Sequence, residues 1–452
     1  MSKQQLSKPK MNDLETGSGE MNNRKLKIGM FSDSYKPYIS GVVKSIELFT
    51  RDLRSAGHEA VIIAPDYPGV AKESGIIRYP SIPAVTNRDF RLAIPLSRRA
   101  AREIRNSNFD IIHVHSPFLL SRTGARWAKR LGVPLVFTFH TLYTEYVHYF
   151  PIFPKLVRRI TRWYLQRFCN GCDLIISPSE GVKKMIKSYG VTTPIVVIAT
   201  GVEPLADPRQ SAARKGFGGG SGVGGDAGGN AGGTINNDNS ATGNAAAGSS
   251  CATGSSGPTG TSSTTTSCEK ILLFVGRLGK EKNIPFLLEA MRHLLENGQN
   301  VRLVIVAGGP EEENLKKMAA ELGVASAITF AGRKPFDQVV QAYREADLFV
   351  FASMTETQGL VILEAMSTGL PVVAVRATGV EDVVEDGRNG FLTSADTVEF
   401  ARAIQKVLSN EELYRTMSAN ALHTASEYSS EKQAQKLVRA YEQVLGTSMK
   451  TS

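Results

Sequence analysis

The segment ETQGLVILE, residues 356–364, carries two glutamates eight positions apart around a glycine and an apolar run. Glutamates at the two ends of a helix are usually solvated charges. The preceding run LFVFAS is typical of a buried strand, and the order strand, loop, helix puts Glu356 in the loop and Glu364 on the helix. Carboxylates at such a place can accept hydrogen bonds from two neighbouring hydroxyls of a sugar. Backbone amides that can donate to hydroxyls or to an anion follow at Thr357, Gln358 and Gly359.

Basic side chains that suit a diphosphate follow two earlier strands of the same half of the chain. VGRLGKEKN places Arg277 at the end of a strand and Lys282 just before a helix. Arginine offers a fork of donors to two phosphate oxygens, and lysine supplies a mobile point charge. AGRKP places Arg333 after another strand, where it can border a nucleobase. A diphosphate clamp beside two hydroxyl acceptors indicates a nucleotide-sugar pocket.

These loops must be positioned by alternating strands and helices. Short apolar runs alternate with helical periods over 26–205 and again over 269–430, which predicts two doubly wound α/β domains with parallel sheets. A further helix is predicted over 431–452. Ligands of such sheets bind at the carboxyl ends of the strands, so we expect the two domains to face each other across a cleft. The predicted strands are KLKIGMFSD, EAVIIAP, DIIHVHS, PLVFTFHT, DLIISPS and PIVVIAT in the first domain, and KILLFVGRL, RLVIVAGG, AITFAG, LFVFAS and PVVAVRA in the second.

Two segments do not follow this alternation. Residues 1–25 are polar and lack the apolar core of a secretory signal, so we expect a disordered extension. Residues 206–268 are rich in Gly, Ser and Thr with few large apolar side chains, which predicts a disordered insert or linker. Arginine and aromatic residues do not alternate through this insert, and we expect no nucleic-acid partner. No apolar run predicts a membrane-spanning helix.

Charge differs between the two halves of the 452-residue chain, whose net charge is +10. Residues 24–200 hold 27 Lys and Arg against 12 Asp and Glu, a net of +15, and residues 269–452 hold 20 against 24, a net of −4. The basic first domain is expected to meet an anionic surface. Four cysteines are too few for a disulfide framework, and the pair Cys169 and Cys172 lacks further ligands at zinc spacing. We expect reduced thiols in a cytoplasmic protein.

Two loops of the first domain could contribute to the cleft. His140 lies at the end of the strand PLVFTFHT, where a histidine can be either structural or functional. Gly41 stands at the start of a helix, where backbone N–H groups favour a phosphate, although a lone glycine there is more often a simple turn. A GxGxxG fingerprint is missing from this loop, which argues against a dinucleotide-binding enzyme.

The segment KLVRRITRWYLQRF, residues 155–168, is open to two interpretations. Its apolar residues recur at helical spacing with arginines between them. Such a helix can pack on the sheet, or it can lie on an anionic membrane surface, where each cation contributes roughly 1 kcal/mol. The aromatic residues just before it suit either a small core or an amphipathic lip. The predicted acceptor and membrane residues are Tyr143, Tyr146, Arg158, Arg159, Arg162 and Trp163.

Three motifs of the second half together resemble those of the retaining glycosyltransferases of family 4, which have the two-domain GT-B fold. They are GRLGKEKN, the E-x7-E element ETQGLVILE, and AMSTGLPVVAVRATGVEDVVEDGRNGFL. The resemblance covers nearly the whole chain outside 1–25 and 206–268, and the Gly/Ser-rich insert is not a family feature. SDSYKPYISGV, FHTLYTEYVHYFP and TETQGL are most similar to bacterial synthases that glycosylate diacylglycerol, and phosphatidylinositol mannosyltransferases are close relatives.

The resemblance implies a role for each donor-side residue. Arg277 and Lys282 match residues that bind the donor diphosphate and stabilise the leaving group. Glu364 matches the glutamate that holds the ribose hydroxyls, and Glu356 the one that contacts the transferred sugar. The resemblance implies that no metal is needed, because basic side chains and helix N-termini neutralise the departing diphosphate.

The resemblance also places His140 beside the reacting centre and Gly41 at the phosphates. It implies a hexosyltransferase that moves glucose from UDP-glucose, with retention, to a diacylglycerol-type lipid at the cytoplasmic face of the membrane. Rival functions are a family member with a soluble glycan or phosphatidylinositol acceptor, a nucleotide-sugar epimerase, and a non-catalytic membrane scaffold. An epimerase should carry an acid/base pair in the cleft, which the sequence does not reveal, and a scaffold should not bind UDP.

Overall fold

A computed structural model describes residues 24–71, 73–84, 90–143, 154–205 and 268–449. The predictions made for residues 1–23, for the insert from 206 to 267 and for Tyr146 fall outside these ranges. Within them the chain forms two α/β domains, one on each side of the insert.

Seven parallel strands form the sheet of the first domain in its described part. With the two strands of a separate hairpin, the strands of this domain are β1 (Lys27–Phe31), β2 (Glu59–Pro65), β3 (Ile76–Tyr79), β4 (Ser81–Pro83), β5 (Arg91–Ala93), β6 (Ile111–Val114), β7 (Leu135–Thr138), β8 (Leu174–Ser177) and β9 (Ile195–Val197). The order in the sheet is β3-β2-β1-β6-β7-β8-β9, and β4 pairs with β5 as a separate antiparallel hairpin. All six predicted strands are confirmed. The sequence analysis missed β3 and the hairpin because these short strands contain Arg or Pro, which interrupt the apolar pattern.

Helices cover both faces of this sheet. They are α1 (Gly41–Ser55), α2 (Arg98–Asn106), α3 (Leu119–Leu131), α4 (Pro154–Cys169) and α5 (Glu180–Ser188). Helix α1 packs Ile46 and Phe49 on one face, whereas α2 to α5 contribute buried residues to a separate core on the other. Since the strands are buried from both sides, they read as apolar runs, which is why the sequence predicted them.

The second domain repeats this plan with a six-stranded parallel sheet. Its strands are β10 (Lys270–Arg277), β11 (Val301–Gly308), β12 (Ile328–Phe330), β13 (Leu348–Phe351), β14 (Val372–Val375) and β15 (Gly390–Thr393), in the order β12-β11-β10-β13-β14-β15. Its helices are α6 (Ile284–Glu296), α7 (Glu312–Glu321), α8 (Phe336–Glu345), α9 (Leu360–Met366), α10 (Thr397–Leu408) and α11 (Glu411–Glu427). The five predicted strands are confirmed, and the edge strand β15 was missed.

The last helix, α12 (Ser430–Met449), returns to the first domain. Its Leu437 and Tyr441 are fully buried in the core that also contains Ile46 of α1. The Tyr441 hydroxyl lies 2.6 Å from Nδ1 of His113 on β6. The end of the chain therefore stabilises the first domain although it follows the second.

The strand order reverses at one point in each sheet, between β1 and β6 and between β10 and β13. Ligands of open α/β sheets bind at the carboxyl ends of the strands on either side of such a point. The loops that leave these strands carry His115, Arg277 and Glu356. The topology thus directs attention to Arg277 and Glu356, which the sequence analysis singled out, and adds His115.

Candidate active site

The loop after β10 holds a buried carboxylate between two basic residues predicted to bind a diphosphate. Glu281, whose side chain is 5% exposed, accepts a hydrogen bond from Nη2 of Arg277 at 2.5 Å. Burial alone would raise the pKa of Glu281, but a bond from its own amide and the charges of Arg277 and Lys282 hold that pKa below its ordinary value. Glu281 is therefore an anion that keeps Arg277 in place beside Lys282.

Lys282 contacts Glu356 across two loops that are far apart in the sequence. Its Nζ donates a hydrogen bond to Oε1 of Glu356, 74 positions later. The two side chains are 19% and 17% exposed, so water only partly screens the pair. The structure brings together the predicted phosphate-binding lysine and the predicted sugar-binding glutamate, because the neighbouring strands β10 and β13 end side by side.

Backbone geometry fixes the loop that begins at Glu356. Gly359 has a φ of +72°, in the left-handed region that favours glycine, and directly precedes α9. A Cβ added to Gly379 would lie 2.5 Å from the carbonyl carbon of Thr357 and 2.7 Å from the carbonyl oxygen of Glu356. The backbone of this loop therefore packs directly against the backbone of Gly379, which limits the movement of the loop. Donation from the amides of residues 357–359 to a ligand stays a prediction.

The side chain of Gln358 does not serve the donor site. It is 5% exposed, and both its polar atoms bond to the backbone of Thr200 in the first domain. The prediction that Gln358 contacts the donor can therefore hold only for its backbone.

Arg333 borders the same strand ends as Arg277. A Cβ added to Gly308 would lie 2.7 Å from Cγ of Arg333, so the arginine stem crosses Gly308 closely. Gly308 in turn pairs with Arg277 in the sheet. This position is compatible with the predicted donor contact of Arg333, which the geometry leaves as a prediction.

Glu364 lies on α9 in a buried environment and accepts a hydrogen bond from the Tyr343 hydroxyl at 3.1 Å. Burial raises the pKa of Glu364 to about 7, against the opposing effects of the Tyr343 bond and the charge of Lys44. The first domain reaches this part of the site, since Lys44 of α1 lies 4.3 Å above the Phe336 ring and 3.5 Å from Glu203. The sequence analysis missed Lys44, although a charged residue one turn into a helix that starts at the cleft was a usable signal.

Binding of the predicted donor UDP-glucose should weaken as the pH falls through about 7. Glu364 accepts hydrogen bonds from ribose hydroxyls best as a carboxylate, and with a pKa of about 7 the neutral form dominates on the acid side. The dissociation constant should rise about tenfold from pH 8 to pH 6, because the apparent affinity scales with the competent fraction. Isothermal titration calorimetry measures it. A Glu364→Gln variant should bind weakly at both pH values, and a wild-type constant that does not change with pH would contradict the assignment.

Histidines meet at the carboxyl ends of β6 and β7. Nε2 of His140 lies 3.0 Å from Nδ1 of His115, and the two rings are stacked with their centroids 5.3 Å apart. The ring of His113 forms hydrogen bonds with the hydroxyls of Tyr441 and Thr138, at 2.6 Å each. Burial lowers the pKa of His140 to about 4. Burial also lowers the pKa of His113, to about 3, and the nearby His140 adds to this effect. His140 is therefore neutral near pH 7, and its Nδ1 can hydrogen-bond to a sugar or phosphate oxygen without adding a charge.

The other predicted residues of the first domain differ in what surrounds them. A Cβ on Gly41 would meet no atom within 4 Å, so this position is open and its phosphate role stays a prediction. Tyr143 packs edge-on against Phe139 and the half-exposed Phe118, at centroid distances of 5.7 and 5.3 Å. Its place favours the small-core interpretation for Tyr143, with Phe118 as the exposed aromatic residue.

Helix α4 divides the apolar residues that the sequence analysis had grouped together. Leu165 and Cys169 are buried, whereas the apolar stripe of Leu156, Ile160 and Trp163 is more than half exposed. One face of this helix therefore packs in the core of the domain, and the membrane interpretation of the exposed face stays a prediction. The basic residues also differ: Arg158 and Arg159 are exposed, whereas Arg162 donates to the carbonyl of Ser188 at 3.0 Å and covers the Tyr189 ring.

Sequence comparison agrees with this geometry over both domains. Residues 39–204 match the profile of Glycosyltransferase Family 4, and residues 262–424 match that of Glycosyl transferases group 1. The chain belongs to glycosyltransferase family 4. It is a nucleotide-sugar-dependent hexosyltransferase, as the family and its relatives indicate.

Two relatives of this family 4 enzyme carry the same name. The chain is 29% identical to the alpha-monoglucosyldiacylglycerol synthase of Streptococcus pneumoniae over 373 residues, which are 81% of this chain and 75% of that one. It is 28% identical to the alpha-monoglucosyldiacylglycerol synthase of Acholeplasma laidlawii over 420 residues, 90% of this chain and 94% of the relative.

Solved structures confirm the predicted GT-B fold. The sucrose-phosphate synthase of Thermosynechococcus elongatus aligns with a TM-score of 0.67 at 18% identity, covering 94% of this chain and all of that one. Anabaena HepE in complex with UDP and glucose aligns with a TM-score of 0.63 at 17% identity, covering 92% of this chain and all of that one. At such identities the likeness establishes the fold alone.

Two expectations, on membranes and on metals, concern the helices and the ligating side chains of the described ranges. None of the helices there combines the length and the apolar character that crossing a bilayer requires. Those ranges also contain no group of three or more His, Cys, Asp or Glu residues placed to hold a metal ion. The expectation that transfer needs no metal stays a prediction.

Proposed function

We propose that this family 4 enzyme transfers glucose from UDP-glucose to a diacylglycerol-type lipid at a membrane surface, with retention of configuration. The names of the two relatives described above support the sugar and the lipid. The observation that carries the proposal is a helix layer of the first domain, α2 to α4, that exposes apolar side chains beside arginines. A lipid acceptor requires such a surface, whereas a soluble acceptor does not.

The apolar part of this layer lies on two elements. Around the β4–β5 hairpin, Leu96 is 82% exposed and Ile82 is 52% exposed, and on α4 Trp163 is 60% exposed. Amphipathic surfaces of this kind bury their apolar side chains in the head-group region of a bilayer while their cations bind anionic lipids. The exposed arginines next to them are Arg98, Arg99, Arg102 and Arg105 on α2, with Arg158 and Arg159 on α4.

A groove of about 600 Å³ lies within this surface. It is lined by Arg98, Arg126 and Arg130 together with apolar residues that include Leu96 and Trp127. Fixed cations beside apolar walls suit an anionic lipid head group whose chains remain in the bilayer. The groove supports membrane contact by the first domain.

On the donor side, each charged residue has a proposed role. Arg277 and Lys282 bind the diphosphate, Glu356 orients the glucose through its hydroxyls, and Glu364 holds the ribose. Opposite them, His140 donates a hydrogen bond near the reacting carbon. The support for these roles is the contact of Lys282 with Glu356, together with the position of Arg277, Lys282, Glu356 and His140 at or just after strand ends and of Glu364 on α9.

Transfer with retention then proceeds on one face of the sugar. The bond between C1 and the diphosphate oxygen breaks as the acceptor oxygen bonds to C1 from the same side. The acceptor hydroxyl gives its proton to the departing phosphate oxygen, and UDP leaves. Arg277 and Lys282 stabilise the charge that develops on the diphosphate, so that a protein nucleophile is not required.

The decisive experiment combines donors and acceptors. The protein is incubated with UDP-glucose, UDP-galactose or GDP-mannose and with dioleoylglycerol in vesicles containing phosphatidylglycerol, and the lipid products are identified by mass spectrometry and NMR. We expect an α-glucosyl lipid from UDP-glucose alone, with or without EDTA. If glucose is transferred only to a soluble glycan or to phosphatidylinositol, the proposed diacylglycerol acceptor is wrong. Conversion of the UDP-sugar without any acceptor would indicate an epimerase.

Membrane binding should depend on the two exposed arginines of α4. The double change Arg158→Gln and Arg159→Gln removes two cations, each contributing roughly 1 kcal/mol at an anionic surface, so partitioning to phosphatidylglycerol vesicles should fall roughly 30-fold. Co-sedimentation measures the partitioning. Emission from Trp163 should shift to shorter wavelength on binding, because Trp163 is exposed whereas Trp127, the second tryptophan, is buried.

A matched control makes the same change of charge in the second domain. Arg388 and Arg415 are exposed there and pair with glutamates on their own segments. Replacing both with glutamine should leave vesicle binding near the wild-type level. An equal loss in both double variants would mean that overall charge, and not α4, governs binding.

A further inference from the structure

Gln358 joins the donor-side loop to the first domain. Its Oε1 accepts a hydrogen bond from the N–H of Thr200, and its Nε2 donates to the carbonyl of the same residue, both at 2.6 Å. One side-chain amide thus satisfies both backbone groups of a residue 158 positions earlier, in the same pairing that two peptide groups make in a sheet. All these groups are buried.

Thr200 offers Gln358 a fixed point of attachment. Its hydroxyl bonds to Oγ of Ser45 on α1 at 2.9 Å. The residue after it, Gly201, approaches the start of α12 so closely that an added Cβ would lie 2.2 Å from Cα of Ser430. The segment is therefore held between two helices of the first-domain core.

A second polar contact defines the same boundary between the domains. The Asp382 carboxylate accepts hydrogen bonds from the backbone N–H groups of Glu180 and Gly181, at 3.1 and 3.3 Å, where α5 begins. The two contacts differ in one respect that matters for catalysis. Gln358 lies two residues after Glu356, whereas Asp382 lies outside the donor-side loop.

We propose that Gln358 is a positioning residue, which through the Thr200 backbone holds Glu356 and its partner Lys282 at a set distance from the first domain. The donor is bound by the second domain and the acceptor reaches it from the first, a division that rests on the proposed function. The relative position of the two domains then decides whether the acceptor oxygen reaches C1 of the glucose. Loss of the Gln358 bonds should slow transfer and leave nucleotide binding to the second domain largely intact.

The first variant is Gln358→Ala, with Gln341→Ala as its control. Gln341 is exposed on α8 and bonds to Glu345 of the same helix, so the control makes the same substitution without touching the boundary. For Gln358→Ala we expect kcat to fall 10- to 100-fold while the KM for UDP-glucose and the dissociation constant of UDP stay within threefold of wild type. A donor ligand would instead raise both constants, and that result, or a kcat within twofold of wild type, would overturn the proposal.

The second variant, Gln358→Glu, tests the hydrogen bonds themselves. A protonated glutamic acid offers one donor and one acceptor, as glutamine does, whereas the carboxylate would set an oxygen against the Thr200 carbonyl. The rate of Gln358→Glu relative to wild type should therefore rise at least fivefold from pH 8 to pH 6. Dividing by the wild-type rate at each pH removes the effect of Glu364 and of the other ionisable groups near the boundary, which both proteins share. A ratio that does not change with pH would show that only the volume of residue 358 matters.

Hydrogen exchange tests the contact between Gln358 and Thr200 without any acceptor substrate. In the wild type the Thr200 amide should exchange slowly, and in Gln358→Ala it should exchange at least tenfold faster, while peptides from β11 keep their protection. If wild-type protein glucosylates no lipid but this exchange result holds, the proposed acceptor is wrong and the attachment by Gln358 stands. Unchanged exchange at Thr200 would overturn the attachment, whatever the acceptor is.

Discussion

Replacing Lys282 with alanine should lower the rate of glycosyl transfer by about 100- to 1,000-fold, the usual effect of removing one group that stabilises developing charge. Lys282 pairs with Glu356 at the carboxyl ends of β10 and β13 and is 19% exposed, so its charge is only partly screened by water. In the transition state the leaving diphosphate gains negative charge, and the ammonium stabilises this state more than the ground state. Single-turnover measurements with saturating donor separate this effect from any change in affinity.

Lys280 provides the matched control for Lys282. It lies in the same short 3-10 helix, from Lys280 to Lys282, but is exposed. Lys280→Ala should keep transfer within about threefold of wild type, because surface substitutions outside such contacts change little. Both variants should melt near the wild-type temperature. Transfer by Lys282→Ala at a near-wild-type rate would remove Lys282 from the diphosphate site.

The sequence predicts the two sheets well because their strands are buried on both faces. Runs such as LLFVG and LFVF are then apolar throughout and stand out from the helical periods around them. The missed strands β3, β4, β5 and β15 each contain Arg, Pro or Gly within three or four residues, whereas β9 and β12, which are as short and also lie at sheet edges, contain none of these and were predicted. The residue types of these short strands, and not their edge position, explain the omissions.

The donor side of the cleft follows from the sequence for a related reason. Strands that are neighbours in a parallel sheet end side by side, so Lys282 after β10 and Glu356 after β13 could be expected to meet. The contact of Gln358 could not be expected, because its partner is the backbone of Thr200. A backbone partner leaves no trace in residue type, and its location depends on how two domains are placed. Helix α4 shows a further limit: periodicity marks its apolar residues but does not tell which of them face the sheet.

Glu356→Ala is expected to have the largest effect on transfer, a loss of about 1,000-fold or more. The change removes the acceptor for the glucose hydroxyls and also frees Lys282 from its partner. Hydrogen bonds to a charged group contribute about 1.5 to 3 kcal/mol each, so two hydroxyl contacts account for a loss of this size. The dissociation constant of UDP should change by less than fivefold, because UDP lacks the glucose that Glu356 contacts. Glu345→Ala, at an exposed position on α8, serves as the control.

The same variant decides whether Glu356 orients the sugar or attacks it. If Glu356 were a nucleophile, the alanine variant would leave space for azide to attack C1, and azide would restore turnover with a glucosyl azide as product. We expect no such rescue, because the ion pair with Lys282 aligns Glu356 for hydroxyl binding and the departing phosphate takes the acceptor proton. Glu356→Gln should then retain more activity than Glu356→Ala, since the amide can still hydrogen-bond to the hydroxyls. A glucosyl azide from Glu356→Ala would show that Glu356 forms a covalent intermediate. Equal activity in the alanine and glutamine variants would show that Glu356 does not contact the glucose hydroxyls.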